Sequence, residues 1–259
     1  MSKQSKIVVF DLDETLGNFV ELGMFCDALE KLQQRKLNDN DFFNILDIFS
    51  EFLRPNILKI LKFLLEKKRK GKCSKIMIYT NNQGPQSWAK KISSYFEYKL
   101  GNLVFDQIIA AFKVKGKIVE ICRTSHDKSV DDLLNCTKIP PSTQICFLDD
   151  QYHPLMEHNN VFYINVKPYI YNIKFKEMAE RYFDKIGIDM NKEEFIRYIY
   201  SYMNEYNFTV IDKGEKEKKV DEIISKKIIL HLEEFFNNNT NKTRRKRNKR
   251  NLTRRKYIN

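Results

Sequence analysis

The chain has 259 residues, 42% of them hydrophobic, enough for an ordinary globular domain with an extension and a real core. No stretch approaches the roughly 18 apolar residues of a membrane span, and the opening MSKQSKIVVF lacks a secretory pattern. The net charge of +12 is local: residues 240–259 carry ten Lys or Arg and no acid, which leaves only +2 for the rest.

Ile7-Val8-Val9-Phe10 is a short, unbroken β-branched and aromatic run, the pattern of a strand buried on both faces of a parallel sheet. It ends in Asp11, Asp13 and Glu14, at the carboxyl edge where open α/β sheets carry their sites. Carboxylates held close there repel unless a cation or a proton lies between them, and Mg²⁺ is the natural oxygen-seeking ion. Phe25, Leu29 and Leu32, then Phe42, Phe43, Leu46 and Phe49, fall at helical spacing and predict two short helices within 20–54, a small cap. Arg54-Pro55 opens a helix with an Ile57, Ile60, Leu61, Leu64, Leu65 stripe, ended by cations and Gly71.

Lys75–Thr80 is a second buried strand, running into Asn81-Asn82-Gln83-Gly84, and Pro85 starts a helix carrying Trp88, Ile92 and Phe96. Short strands are expected over 103–121, with a hairpin turning at Lys115-Gly116. A polar stretch containing Lys128 leads into a short helix through Val130, Leu133 and Leu134. Gln144–Leu148 is a third buried strand ending in Asp149-Asp150, and Val161–Val166 a fourth. Strands alternating with helices predict an α/β, doubly wound parallel sheet (Rossmannoid).

Beyond 170 the pattern turns helical. Asn191 with Glu194 reads as a capping box for a helix through Tyr206, and after the charged stretch DKGEKEKK a helix carries Val220, Ile223, Ile224, Ile228, Leu232 and Phe235. The expected layout is a catalytic domain over 1–170, a helical C-terminal extension over 171–238 and a disordered basic tail over 239–259. That tail suits nuclear import or contact with nucleic acid phosphates, and equally a solubilising end. Five scattered cysteines, Cys26, Cys73, Cys122, Cys136 and Cys146, form no CxxC pair, which favours free thiols in an intracellular protein over disulfides or zinc.

Three strands thus end in Asp11 and Asp13, in Thr80, and in Asp149 and Asp150, with Lys128 before the last. In a parallel sheet these ends share one edge, and each group has a use in phosphoryl transfer. An aspartate can attack phosphorus; a second carboxylate can protonate the leaving oxygen and then activate water. Mg²⁺ and lysine offset charge, while a threonine hydroxyl and loop N–H groups hold the other oxygens.

DLDET, IYTNN, Lys128 and FLDD, in that order, resemble the four-motif signature of the haloacid dehalogenase superfamily over residues 5–170. DLDETL, the LRP before the third helix, and the segment around Lys128 look most like the NLI-interacting-factor phosphatases, relatives of the RNA polymerase II C-terminal-domain phosphatases. The resemblance implies Asp11 as nucleophile, Asp13 as acid/base, Thr80, Asn81 and Lys128 binding phosphate, and Mg²⁺ held by Asp11, the Asp13 carbonyl, and one or both of Asp149 and Asp150. It implies a phosphorylated protein substrate. A nucleotide or polynucleotide 3′-phosphate is the second reading, and a non-catalytic interaction module the third. His153, His126 and Arg123 are read as ordinary loop residues, and Trp88 as core.

Overall fold

The first buried run forms β1 (Lys6–Phe10), and it lies in the middle of the sheet. The computed structural model describes residues 5–237 and 254–258. β1 is flanked by β2 (Lys75–Tyr79), with β3 (Gln107–Ile109) outside it, and on the other side by β6 (Gln144–Asp149) and β7 (Val161–Val166). All of these pairings are parallel, with Val8 opposite Ile76 on one side and Cys146 on the other. The sheet is buried on both faces, so its strands are continuously apolar rather than alternating. Val8, Phe10, Ile78, Leu148 and Ile164 point into one core, and Ile7, Val9, Tyr79, Phe147 and Tyr163 into the other.

The first core is covered by α3 (Ile57–Arg69) and α4 (Gln86–Leu100), the second by α5 (Val130–Thr137). The expected hairpin is present as β4 (Lys113–Val114) and β5 (Lys117–Ile118). Its turn residues Lys115 and Gly116 both have positive φ, as a two-residue hairpin turn requires. Pro55 lies outside its helix: α3 begins at Ile57, with Asn56 as N-cap in the left-handed region.

The segment after β1 contains the two helices expected, α1 (Val20–Gln33) and α2 (Asp39–Ile48). Asn38 caps α2 reciprocally: its side chain accepts from Asp41 N at 2.9 Å, and the Asp41 carboxylate accepts from Asn38 N at 3.0 Å. Such caps contribute about 1 kcal/mol.

The helices beyond 170 share the core of the preceding residues. The pair α6 (Phe175–Ile186) and α7 (Lys192–Asn204) packs on α1 and α2, through contacts such as Phe25 against Tyr182, ring centroids 5.3 Å apart. Arg181 ties α6 to the turn after α2 through Glu51 at 2.8 Å. The long α8 (Glu215–Asn237) returns to the sheet beside α3 and β7, burying Ile224, Ile228, Leu232 and Phe235. Its first turns take up much of the charged stretch read from sequence as a linker.

Two expectations are corrected. Residues 254–258, placed in a disordered tail, form β8 (Arg254–Ile258), parallel to β7 at the sheet edge. The open edge of β7 supplies backbone partners, and Ile258 is fully buried. The remaining tail residues, 238–253 and 259, lie outside those described, and with them most of the nucleic-acid and import reading. Cys122 and Cys136 are joined by a disulfide, while Cys26, Cys73 and Cys146 are free and buried. Their fourteen-residue separation hid the pair, because the polar loop doubles back and brings its start beside the end of α5. Among the described residues no helix is long and apolar enough to cross a membrane.

Candidate functional site

The chain leaves β1 through a tight loop whose backbone is pinned from several directions. Glu14 has φ of +58°, unusual for a residue with a side chain. Its carbonyl accepts from Tyr169 N at 2.8 Å and from the Arg54 guanidinium at 2.5 Å. Arg54 also donates to the Thr15 carbonyl at 2.6 Å and the Lys167 carbonyl at 2.9 Å. The LRP arginine, only 1% exposed, is therefore a staple rather than a helix start. Gly17 has no alternative: a Cβ there would lie 2.5 Å from the Phe52 carbonyl oxygen. The result is a rigid turn that aims Asp11 and Asp13 at the ends of the neighbouring strands.

β2, β6 and the loop before α5 bring the other predicted groups to the same place. Asp11, Asp13, Thr80, Asn81, Lys128, Asp149 and Asp150 all line one cavity of about 170 Å³ at the carboxyl edge of the sheet. The Lys128 ammonium, 1% exposed, bonds to Asp11 Oδ1 and, at 2.7 Å, to Asp149 Oδ2. Asp149 is further bound by Gln151 N at 2.8 Å, and His153 Nε2 lies 3.3 Å from its Oδ2. Asp150 is held by Thr15 Oγ1, which donates to its carboxylate at 3.0 Å and accepts its N–H at 3.1 Å.

Burial dominates the protonation of these acids. It pushes Asp11 well above the usual carboxylate range; Lys128 pulls it back without overcoming the desolvation, and Asp149 and Asp150 add repulsion. Burial also raises Asp13, against the Asn82 amide that donates to it at 2.6 Å. For Asp150, burial and then the Asp149 charge raise the pKa to about 6. Asp149 moves the other way: burial would raise it, but Lys128 and His153 together hold it below its ordinary value.

Asp11, Asp149 and Asp150 each offer a carboxylate oxygen within 4.8 Å of the others, a set that could hold a metal ion. The donor chemistry suits a hard divalent cation. Three carboxylates face one ammonium, so two negative charges are left over when all are ionised. Two further oxygens of the site, Asp13 Oδ1 and Asn81 Oδ1, are buried with no hydrogen-bond partner among the described residues.

Sequence reasoning passed over several groups that matter here. Arg123, read as exposed, is 3% exposed and donates to the Thr80 carbonyl at 3.1 Å, the Ala110 carbonyl at 2.8 Å and the His126 carbonyl at 2.9 Å. It thereby fixes the end of β2 and the loop carrying Lys128. His153 sits in the loop before Pro154, as read, and that loop lines the cavity, whereas His126 is exposed. Asn82 and Thr15 hold Asp13 and Asp150; the run Asn81-Asn82 and the Thr of DLDET were the available signals. Trp88 is half-buried, packed edge-on against Phe42 at 5.4 Å, and not in the core proper.

Compared with models of known protein families and with curated protein sequences, the chain matches none. What is established is therefore an acidic, lysine-bridged cavity at the carboxyl edge of a parallel α/β sheet, with carboxylates able to hold a metal ion.

Proposed function

We propose that the chain is a Mg²⁺-dependent phosphatase of the haloacid dehalogenase type, closest to the NLI-interacting-factor branch. It would hydrolyse phosphomonoesters through an aspartyl-phosphate, with phosphoserine or phosphothreonine in a protein as the expected substrate. The observation that carries this reading is the meeting of Asp11, Asp13, Thr80, Lys128 and Asp149-Asp150 around one small cavity.

Each group has a physical part. An Asp11 carboxylate oxygen attacks phosphorus, and the P–O bond to the leaving alcohol breaks as the new one forms. Asp13, whose burial keeps a proton on it more readily than on an exposed aspartate, gives that proton to the leaving oxygen. It then takes a proton from water, which hydrolyses the aspartyl-phosphate and frees Asp11. Thr80 Oγ1 accepts the Asn82 N–H at 3.0 Å, which leaves its own O–H to donate to a phosphate oxygen. Lys128 neutralises charge beside the nucleophile. Asp11, Asp149 and Asp150 would hold Mg²⁺, which when bound offsets the charge of phosphate and nucleophile.

The test is hydrolysis of an aryl phosphate by the full chain. Turnover should need Mg²⁺, stop with EDTA, and fall at least about a thousandfold in Asp11→Asn. Equal rates for wild type and Asp11→Asn would overturn the reading.

A further inference from the structure

Beside the acidic cavity lies a second, much larger hollow of about 820 Å³, between α1 and the start of α4. Asp13 and Asn82 line both spaces. In the proposed reaction Asp13 protonates the leaving oxygen, and its place on the wall of both spaces directs the group bonded to that oxygen towards this groove. Part of its wall is apolar: Val20, Gly23 and Leu37 on one side, Pro85 and Trp88 on the other. Val20 is 47% exposed, and a Cβ on Gly23 would sit 3.7 Å from the Trp88 ring, in ordinary contact. Gly23 thus leaves free the space beside the Trp88 ring edge that a larger residue would take up.

The charges along the groove separate two kinds of substrate. Asp13, Asp27 and Glu30 stand against Lys36 and Lys91. Lys36 is already paired with Glu30, and Lys91 donates to the Leu37 carbonyl at 2.9 Å. Such a lining offers nothing to a string of phosphates, which needs a cationic track. It suits an uncharged chain with an apolar group.

Resting on the phosphatase reading above, we propose that this groove is the leaving-group subsite and takes a phosphopeptide carrying an apolar or aromatic side chain beside the phosphorylated residue. That side chain packs on the wall formed by Val20, Gly23 and Trp88, and the groove makes the enzyme selective for protein over polynucleotide phosphate.

Trp88 is the single tryptophan of the chain, so its fluorescence reports directly on the groove. Asp11→Asn protein is titrated with phosphoserine peptides that differ only in one flanking residue, Phe or Gly, and with a 3′-phosphorylated oligonucleotide. The Phe peptide should perturb Trp88 emission and bind at least about tenfold more tightly than the Gly peptide. Adding Gly23→Leu should erase that preference. In the wild-type chain, hydrolysis of acetyl phosphate, which has a small leaving group, reads the phosphatase chemistry without the groove. Val20→Glu, at an exposed wall position, should weaken the Phe peptide selectively even if Gly23→Leu fails to fold. Equal affinity for the two peptides, or tightest binding of the oligonucleotide, overturns the groove assignment. Absence of turnover on every substrate, acetyl phosphate included, overturns the phosphatase reading instead, because the titration needs no turnover.

Discussion

Replacing Lys128 by methionine isolates the electrostatics of the site. The substitution keeps length and the contacts with the Tyr79 and Phe147 rings, 5.8 and 5.9 Å from the ammonium, but removes the charge. Asp11 and Asp149 then lose their shared buried partner. Breaking a buried pair from one side costs about 3–5 kcal/mol, which for a chain of this size lowers Tm by roughly 6–20 °C. The pH dependence has a definite sign. Burial already holds Asp11 high; without Lys128 it rises further, and Asp149 loses the charge that does most to hold it low against its own burial. An acid whose pKa is higher folded than unfolded stabilises fully at low pH and loses that contribution as pH rises through its folded pKa. The deficit of Lys128→Met should therefore be largest at pH 8 and shrink towards pH 5. Urea unfolding in EDTA, followed by Trp88 fluorescence at both pH values, measures this. A variant within about 1 kcal/mol of wild type at pH 8, with no pH trend, would refute the reasoning.

Other changes test the surrounding frame. Arg54→Met removes a donor from three loop carbonyls, of which only that of Glu14 keeps a second, Tyr169 N, among the bonds described, and should cost about 3 kcal/mol or more; Arg54→Lys should recover little, since one ammonium cannot span the fork, and a lysine variant as stable as wild type in urea would contradict this. Burial raises Glu21 to about 7 despite the Asn172 amide that donates to it at 2.6 Å. Its contribution is present below pH 4.5 and lost as pH rises through 7, worth about 3 kcal/mol; Glu21→Gln should flatten that slope, and an unchanged slope counts against the assignment. Opening the Cys122–Cys136 bridge, by reductant or by the double serine variant, closes no loop in the unfolded chain and should lower stability by about 3 kcal/mol. A midpoint unmoved by reductant would argue against the bridge.

The sheet and the acidic groups at its edge could be read from residues alone because their signals are local. Ile7 to Phe10 or Ile145 to Leu148 can hardly be anything but doubly buried strands, and parallel pairing then brings Asp11, Thr80 and Asp149 to one edge. Long-range partners carry no such mark. Ile258 lies in a basic run that looks unfit for a core until the open edge of β7 is there to receive it. Arg54 and Arg123 look like surface residues in a one-dimensional string, since nothing nearby in sequence reveals the carbonyls that surround them. Packing of α6 and α7 against α1 and α2 likewise depends on which faces the rest of the fold leaves uncovered.

The central place of β1 has a kinetic consequence. Its pairing with β6 joins Lys6 to Gln144, so the middle of the sheet waits for a closure across more than half the chain. Such non-local closure is slow, and Asp11 and Asp149 are far apart until it is complete. Their mutual repulsion is therefore absent from the open chain and builds up only as that closure is made. Substitutions among these carboxylates would then date the closure: a change in the folding arm of a chevron plot puts it at or before the barrier, and a change confined to the unfolding arm puts it after, where these charges govern the lifetime of the native state.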